Sequence, residues 1–539
     1  MTSIYLNVNT IRVVRSAIFC AYRLYTSPAV RESARPSSIV SFNGIDWVAK
    51  VVSSIFLFSS HSERCLCVLG ETLTPLVALA VVRRFNDPRL GLRFYDFTRR
   101  GFNMKHCFLT YDLLLRLLCE ESMYESLGAV LSYMLSDGLF PDDSLLVYLI
   151  KSCSRAGEFE VSMKLVTDGR GKGVRISTLL YNFLLDALVK SGRVSDALSL
   201  FTSHLCQLSP PDTRTFNILI RGFCKSGKAD EGLVFLKTME SFGCLPDKVT
   251  FNTLIDGFCK MNNVDRAYFF LKQLRDRGLS PDVFSYTSII SAYCKLGKME
   301  EASSMFQEMC SSEVKPNVIT FNVLIDGYGK AGDVAAFENL FEQLENNRLL
   351  PDVVTFTSMI DGYCRNRRLE KSYRLLATMK DRHVSPNVYT YSVLVKALCN
   401  ENRLNEARDL VRKMAASRVA PKAFVYNPII DAYCKGGNVE EANLVVAEME
   451  KMNCRPDKIT YTVLIIGHCM KGRMLEAIDI FRKMFEVGCF PDPFTVNLLS
   501  SFLLKAGMPR EAQTVRAASD SVVLPATPAR TPLEIPVAA

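Results

Sequence analysis

Apolar positions along the chain follow a helical spacing that stops and restarts at regular intervals. In residues 248–282, a first set has the spacing of one face of an amphipathic helix: Phe251, Leu254, Ile255, Phe258 and Cys259. Beyond a turn at Asn262, a second set indicates a second amphipathic helix: Ala267, Phe270, Leu271 and Leu274. Thr250 is predicted to be the N-cap of the first helix, and Gly278 and Pro281 are predicted to end the second. The segment therefore predicts a helical hairpin.

The same pattern recurs every 35 residues from residue 108 to residue 492 without an insertion or a deletion. Eleven units begin at residues 108, 143, 178, 213, 248, 283, 318, 353, 388, 423 and 458, and a twelfth begins at Pro493 and fades near Arg516. A unit is identified by its first residue, as in the Lys248 repeat. One hairpin cannot bury its apolar face alone, but stacked neighbours can, so this periodicity is typical of a solenoid. The sequence predicts an all-α fold, a right-handed α-solenoid of 35-residue helix–turn–helix repeats.

Two positions of the repeat hold short polar side chains in nearly every copy. The fifth residue is Asn, Thr or Ser in ten of twelve units, the exceptions being Asp112 and Val147. The last residue is Asp or Asn in nine of eleven units, the exceptions being Ser177 and Lys422. A surface that only has to be hydrated would also admit Lys, Glu, Gln and Arg. These positions are therefore predicted to bind small polar edges that differ from one repeat to the next.

Several features together resemble the pentatricopeptide repeat family, in its P subfamily of plant organelles. They are the 35-residue period, first helices of the type VTFNTLIDGFCK, the EEA and FxxM runs of the second helix, and the closing Pro-Asp or Pro-Asn. The resemblance covers about 385 contiguous residues. The related tetratricopeptide repeat has a 34-residue period and a Trp-containing signature, whereas the single tryptophan of this chain, Trp47, lies outside the array.

In this family each repeat reads one base of single-stranded RNA. The resemblance implies that the fifth and last residues contact the base edge: Asn182 with Asp212, Asn217 with Asp247, Asn252 with Asp282, Thr287 with Asn317, Asn322 with Asp352, Thr357 with Asn387, Ser392 with Lys422, Asn427 with Asp457, and Thr462 with Asp492. It also implies that second residues pack between successive bases: Val249, Phe284, Ile319, Val354, Tyr389, Phe424 and Ile459. The sequence alone leaves open whether these second residues pack against neighbouring helices instead.

The pairing rule of the family gives a predicted binding site. Asn with Asp favours U, Thr with Asn favours A, and Thr with Asp favours G. With the N-terminus towards the RNA 5′ end, the resemblance implies the site 5′-UUUAUA(R)UG-3′, in which the Ser392 and Lys422 pair departs from the pattern and reads a weak purine. The first two repeats carry Asp112 with Asp142 and Val147 with Ser177, which do not decode.

Basic residues recur at the end of the first helix, although the net charge of the chain is only +9. The column contains Arg155, Lys190, Lys225, Lys260, Lys295, Lys330, Arg365 and Lys435. A cation at a helix C-terminus is favourable in itself, and the same residues are predicted to contact one phosphate per repeat, so both interpretations hold together. Complete neutralisation of eight phosphates would give a logarithmic salt dependence with a slope of about −6.

The 18 cysteines do not indicate a disulfide framework or a zinc site. Most share two columns of the repeat, where cysteine is a small buried side chain. In the Val318 repeat, Gly329 replaces the column cysteine and Phe337 replaces a small residue, and we expect the two volumes to compensate.

His61 and Glu63 resemble the His-x-Glu of cytidine deaminases only superficially, because the chain has no Cys-x-x-Cys. No catalytic site, metal or cofactor is expected, and the protein is predicted not to be an enzyme.

The two ends of the chain differ from the array. Residues 1–31 contain four arginines and no acidic residue, as in an organellar transit peptide, and favour a mitochondrial over a chloroplast location. The predicted organisation is a transit peptide and linker over 1–50, a linker and a degenerate capping repeat over 51–107, eleven repeats over 108–492, a partial repeat over 493–518 and a disordered tail over 519–539. Within 51–107, the capping repeat is placed at 83–107. The apolar runs at 51–58 and 73–82 are too short to span a membrane.

These observations predict sequence-specific binding of single-stranded RNA in an organelle, with a role in transcript stability, processing, splicing or translation. The expected partners are organellar RNA and protein cofactors of RNA processing, with a monomeric chain and no membrane span. The alternative is a helical-repeat scaffold for protein–protein interaction. The filled polar columns favour RNA, because a protein-binding solenoid has no need for paired Asn, Thr, Asp and Asn at fixed positions.

Overall fold

The computed structural model describes residues 42–58, 73–85, 87–171, 176–205 and 210–523, and these residues contain helices and no strand. The predicted transit segment over 1–31 and most of the predicted tail lie outside the described residues. The described residues belong to two compact units, one ending at Met261 and one beginning at Asn262. In each unit, antiparallel helix pairs follow one another along the chain, which confirms the all-α helical-repeat fold.

The first helix of every repeat begins at the first residue of the predicted unit. These helices are Phe108–Glu120, Asp143–Ala156, Thr178–Lys190, Thr213–Lys225, Lys248–Lys260, Val283–Lys295, Val318–Ala331, Val353–Arg365, Val388–Asn400, Ala423–Lys435, Lys458–Met470 and Pro493–Lys505. The second helices are Tyr124–Ser136, Phe159–Gly171, Val194–Leu200 with a π-helical turn Phe201–Leu205, Ala229–Ser241, Val264–Asp276, Met299–Ser311, Val334–Asn346, Leu369–Asp381, Leu404–Ala416, Val439–Lys451, Met474–Glu486 and Pro509–Val523. The last of these passes the predicted end of the partial repeat at residue 518.

The segment before the first repeat is more helical than expected. Helices Phe42–Phe58, Pro75–Arg84 and Pro88–Phe102 precede the array. The second of these lies mostly before residue 83, where the degenerate capping repeat is predicted to begin, and the third lies within the predicted repeat. The bounds of the capping repeat stay a prediction. Aromatic rings hold this region together, since Phe56 lies 5.2 Å from Phe94 in an edge-to-face contact. None of the described helices is both long and apolar enough to cross a membrane.

The helix start differs in one respect from the prediction. Thr250 is not the N-cap of its helix, because Asp247 has the extended backbone of an N-cap and its Oδ1 accepts a hydrogen bond from the Thr250 N–H at 2.8 Å. The Thr250 hydroxyl in turn accepts a hydrogen bond from the Asp247 N–H at 3.2 Å, which completes a capping box. The last residue of one repeat therefore starts the first helix of the next.

Cysteines and glycines determine how closely consecutive first helices approach. A Cβ built on Gly257 would lie 2.4 Å from Cys224 Sγ, so glycine is needed opposite the column cysteine. Where Gly329 replaces that cysteine, a Cβ would lie 3.0 Å from Gly362 Cα, and a Cβ on Gly362 would lie 3.1 Å from the Phe337 ring. The Phe337 ring therefore occupies the space into which a side chain at position 362 would extend, and the compensation of volume between Gly329 and Phe337 stays a prediction.

Candidate nucleic-acid interface

The fifth and last residues of a repeat meet a third residue that belongs to the following repeat. In the Val318 repeat, Asn322 Nδ2 donates to Asp352 Oδ1 at 3.1 Å. The Thr355 hydroxyl donates to Asn322 Oδ1 at 2.6 Å, and the Thr355 N–H donates to Asp352 Oδ1 at 2.8 Å. We call this hydrogen-bonded set of fifth residue, last residue and next third residue the bridge.

Three other Asn and Asp pairs form the same bridge. The Nδ2 to Oδ1 distances are 2.9 Å for Asn182 with Asp212, 3.1 Å for Asn217 with Asp247, and 3.2 Å for Asn427 with Asp457. The threonine hydroxyls that complete these bridges belong to Thr215, Thr250 and Thr460. Asn252 and Asp282 fall in different compact units, in which Asn252 is half-buried and Asp282 caps the helix Val283–Lys295.

Repeats with Thr at the fifth position have a simpler bridge. The hydroxyls of the fifth residue and of the next third residue lie 2.8 Å apart in Thr287 with Thr320, Thr357 with Thr390, and Thr462 with Thr495. The last residues of these repeats, Asn317, Asn387 and Asp492, cap the following helices through Oδ1. The paired residues predicted from sequence are therefore brought together in both classes of repeat.

The sequence analysis missed the third residue, whose hydroxyl is the centre of each bridge. Its signal is a column of buried hydroxyl side chains: Thr215, Thr250, Ser285, Thr320, Thr355, Thr390, Thr460 and Thr495. The last residue was not predicted to be an N-cap either, a position that by itself selects Asp and Asn. Capping is therefore a second reason for the composition of that column, besides contact with a ligand.

Each bridge leaves polar atoms for a ligand. In the Asn and Asp class, the Asn amide uses Oδ1 and one N–H, and Asp uses Oδ1. The second amide N–H of Asn322 has no hydrogen-bond partner among the described residues, and no side chain there donates to Asp352 Oδ2. Burial alone would raise the pKa of Asp352, but hydrogen bonds from Thr355 and Asn322 lower it below its ordinary value. The spare Asp oxygen is thus an ionised acceptor beside a spare donor.

The spare groups differ in the threonine class. Asn317 and Asn387 use only Oδ1 in capping, so within the described structure both of their amide N–H groups are available. Asp492 also caps through Oδ1 and keeps Oδ2. The pKa of Asp492 is lowered by hydrogen bonds from the Thr495 N–H and hydroxyl. A last residue Asn therefore presents donors, and a last residue Asp presents an acceptor.

The second residues of the repeats point away from the helix packing. Val249, Phe284, Ile319, Val354, Tyr389 and Ile459 are between 53% and 66% exposed, and Phe424 is half-buried. The alternative that these apolar residues pack against neighbouring helices is therefore wrong for five of the exposed ones, whereas the exposed Tyr389 ring contacts Phe424 of the next first helix. Their stacking on bases remains a prediction.

A groove of about 580 Å³ passes the bridge of the Thr213 repeat. Asn217, Asp247 and the second residues Arg214 and Val249 line it. The bridge atoms, an apolar second residue and a cation therefore border one open space in the first unit.

The basic column at the end of the first helix is paired with an acidic column that the sequence analysis did not include. Ion pairs one helical turn apart join Lys190 to Asp186 at 2.8 Å, Lys260 to Asp256 at 2.5 Å, Lys330 to Asp326 at 2.6 Å, Arg365 to Asp361 at 2.6 Å, and Lys435 to Asp431 at 2.6 Å. Lys225 and Lys295 have Arg221 and Ser291 at that spacing, and neither has an ion pair among the described residues. Five of the eight predicted phosphate contacts are therefore partly neutralised.

Three repeats lack the bridge. In the Val388 repeat, the fifth residue is Ser392, the last is Lys422 and the next third residue is Val425, which has no hydroxyl. In the Phe108 repeat, Asp112 is paired with Arg116 of its own helix at 2.8 Å. In the Asp143 repeat, Val147 cannot form a hydrogen bond and Ser177 makes no capping bond.

The described residues show no sign of a metal centre. No group of three or more His, Cys, Asp or Glu side chains among them could hold a metal ion. All described cysteines are free.

Comparisons with known proteins agree with the repeat frame. Models described as the PPR repeat family match residues 211–260, 246–295, 281–330, 316–365, 351–400 and 421–470, and models of the PPR repeat match 180–203, 389–419 and 459–489. Together these matches cover more than half of the chain.

Two relatives from Arabidopsis thaliana are similar over part of their length. Pentatricopeptide repeat-containing protein At2g06000 is 46% identical over 170 residues, which are 31% of this chain and 31% of that protein. Pentatricopeptide repeat-containing protein At1g02060, chloroplastic, is 31% identical over 139 residues, which are 24% of this chain and 19% of that protein. The chain thus matches about a third or less of the length of these curated relatives.

Among solved structures, PPR10 from maize has a TM-score of 0.39 at 20% identity, covering 95% of this chain and 83% of that one. PPR10 in complex with an 18-nt psaJ RNA element has a TM-score of 0.34 at 18% identity, covering 95% of this chain and 99% of that one.

Proposed function

Because the chain belongs to the pentatricopeptide repeat family, we propose that it binds single-stranded RNA and selects its sequence through the bridges, one base per repeat. Repeats of this kind read one base through two or three side chains. The observation that carries the proposal is the spare hydrogen-bonding capacity of each bridge. It differs between the Asn and Asp class and the threonine class and, within the threonine class, between a last residue Asn and a last residue Asp.

The Asn and Asp bridge complements uracil. Uracil presents a carbonyl acceptor next to the N3–H donor on its pairing edge. The spare N–H of Asn322 can donate to that carbonyl, and Asp352 Oδ2 can accept from N3–H. Cytosine offers an acceptor at N3 and a donor at N4, so it is the expected second choice at the same position.

The threonine class complements purines. The spare amide N–H groups of Asn317 and Asn387 can donate to adenine N1, which is an acceptor. Guanine has donors at N1 and N2 instead, and the spare oxygen of Asp492 can accept from them. The change from Asn to Asp in the last residue therefore accounts for the change from A to G in the pairing rule.

The remaining contacts are proposed to be independent of sequence. Exposed second residues such as Ile319 and Val354 offer apolar surfaces to the faces of successive bases. Lys225 and Lys295, whose charges are unpaired in the described structure, are the strongest candidates for phosphate contacts, and the paired cations contribute less. Phosphate contacts hold the strand, while the bridges select the bases.

We further propose that the binding site is 5′-UUUAUA(R)UG-3′ and that binding takes place in an organelle, with the mitochondrion favoured over the chloroplast. A tightly bound solenoid can stabilise a transcript by blocking an exonuclease, or hold it open for processing, splicing or translation. Protein cofactors of RNA processing, a monomeric state and the absence of catalytic activity belong to the same proposal.

The proposal is tested by titrating the full-length chain with 5′-UUUAUAAUG-3′ flanked by neutral sequence at 0.15 M salt. A scrambled oligonucleotide and the duplex form of the same sequence are the controls. We expect the single strand to bind at least 100-fold more tightly than the scrambled strand, since each mismatched base costs about 1–3 kcal/mol. Equal and weak binding to every oligonucleotide would contradict the proposal and favour the protein-binding scaffold.

A further inference from the structure

The junction between the Val388 and Ala423 repeats has lost every element of the bridge. Val425, in the position of the bridging threonine, is buried and apolar. Lys422 occupies the N-cap position but makes no side-chain capping bond. Ser392 is half-buried, and its hydroxyl forms no hydrogen bond to any described residue. Three substitutions have therefore removed the hydroxyl, the cap and the amide from one and the same junction.

The apolar side of this junction is also unusual. The rings of Tyr389 and Phe424 are stacked, with centroids 5.4 Å apart and planes inclined by 23°. If second residues lie between successive bases, these two rings flank the base of the Val388 repeat. A base inserted between them would need about 7 Å, two van der Waals contacts of about 3.5 Å each. The rings thus occupy the space of the base until RNA separates them.

We infer that the Val388 repeat is a position without base selectivity, which divides the RNA site into a six-base block and a two-base block separated by one nucleotide of any identity. This inference rests on the proposed RNA binding. The nucleotide is held only by stacking on Tyr389 and Phe424, which every base can do because every base has a π face. It replaces the weak purine preference predicted from Ser392 with no preference. The site becomes 5′-UUUAUANUG-3′.

The first test compares two oligonucleotide series on the full-length chain. One series carries A, C, G or U at the seventh base, and the other carries the four bases at the fifth base, which the intact Val318 repeat reads. We expect dissociation constants within about 2-fold in the first series. In the second series, purines should bind about 5- to 100-fold more weakly than U. A preference at the seventh base as large as that at the fifth would overturn the inference alone.

A flat response in both series would overturn base reading as a whole and this inference with it, so the two failures are distinguishable. No variant is needed for this test, and folding of a mutant cannot obscure it.

The second test restores selectivity. The triple variant Ser392→Asn, Lys422→Asp and Val425→Thr reproduces the residues of the Asn322 bridge. We expect it to prefer U at the seventh base by about 5- to 100-fold, with its helix content checked by circular dichroism. The matched control is Ser392→Asn alone, which should stay unselective because the amide has no hydroxyl or carboxylate to orient it. Selectivity in the single variant equal to that of the triple variant would overturn the role assigned to the bridge.

Discussion

The Val318 and Val388 repeats have the same helical hairpin but meet the next repeat differently. At the end of the Val318 repeat, Asn322, Asp352 and Thr355 form one hydrogen-bonded bridge that also caps the next helix. At the end of the Val388 repeat, the equivalent side chains form no hydrogen bond with one another, and the neighbouring rings of Tyr389 and Phe424 are stacked.

Under the proposed function, the comparison implies that a base-selective repeat needs three residues, of which the third belongs to its neighbour. The hydroxyl of Thr355 accepts from the Asp352 N–H and donates to Asn322 Oδ1, so it fixes the amide orientation before any ligand arrives. A polar group oriented in advance loses less entropy when it binds. A serine or asparagine without that neighbour presents the same chemistry but no fixed direction.

The largest expected effect comes from removing the hydroxyl at the intact junction. Thr355→Val makes this junction resemble the one at Val425 and leaves Asn322 Oδ1 buried without its donor. We expect U selectivity at the fifth base to fall about 5- to 100-fold, and the unfolding free energy to fall by about 1–3 kcal/mol. RNA titration and denaturant unfolding measure the two effects. The control is Thr378→Val, whose exposed hydroxyl bonds only to its own helix; equal effects of both variants would contradict the prediction.

The next effect concerns the close helix approach beneath the same junction. Gly329→Cys places a side chain 3.0 Å from the Gly362 backbone. We expect a loss of about 1–3 kcal/mol in unfolding free energy from overpacking. U selectivity at the fifth base should weaken as well, because the two bridged helices are forced apart. Gly128→Cys is the control, since a Cβ there has no neighbour within 4 Å. An unchanged midpoint for Gly329→Cys would refute the volume compensation with Phe337.

Acid should remove the stabilisation that the Asp352 carboxylate gives to the junction after the Val318 repeat. Because hydrogen bonds lower the pKa of Asp352, its folded pKa lies below its unfolded value. The stabilisation is therefore complete above the ordinary aspartate pKa of about 4 and is lost as pH falls through the lowered folded value. We expect Asp352→Asn to lower stability relative to the natural chain by a constant amount between pH 5 and 8. The difference in unfolding free energy between the natural chain and the variant should disappear below about pH 4, as unfolding midpoints at each pH would show. A difference that grows on acidification would contradict the prediction.

The smallest effect extends the comparison to the RNA backbone. Lys295→Ala removes a cation that has no ion pair in the described structure, and the logarithmic salt slope should fall in magnitude by about 0.7. Asp326→Asn releases Lys330 from its 2.6 Å ion pair, and the slope should rise by a similar amount. Titrations between 0.05 and 0.5 M salt measure both slopes. A slope magnitude that does not fall in Lys295→Ala and does not rise in Asp326→Asn would contradict the phosphate role of this column.

The fold could be predicted from sequence because the determining signal is repeated many times. Each first helix starts where the 35-residue frame places it, and Pro246 and its equivalents limit where a helix can start. The ends of the array were predicted less well. Pro75–Arg84 lies before the first residue of the 35-residue frame, and Pro509–Val523 continues past the point near Arg516 where the pattern fades.

For the candidate site, the sequence predicted the pairing of fifth and last residues but not the third residue of the bridge. The fifth and last columns were visible because their composition is narrow. The third column was visible too, but Thr250 was assigned to the cap, since a hydroxyl near a helix start is usually an N-cap. The contact between Tyr389 and Phe424 could not be predicted, because both side chains are acceptable stacking residues and only the structure shows that they touch. The acidic partners of the basic column lie four residues earlier on the same helix, so these ion pairs could have been predicted from the sequence.

The most direct test of the bridge as the base-selecting element is a switch at the fifth base. The double variant Asn322→Thr and Asp352→Asn reproduces the Thr357 and Asn387 pair of the next repeat while keeping the hydroxyl of Thr355. Titration with the four fifth-base oligonucleotides should show a preference changed from U to A by about 10-fold or more, with the preference for A at the sixth base unchanged. A double variant that still prefers U, or that binds U and A equally while remaining folded, would contradict the account.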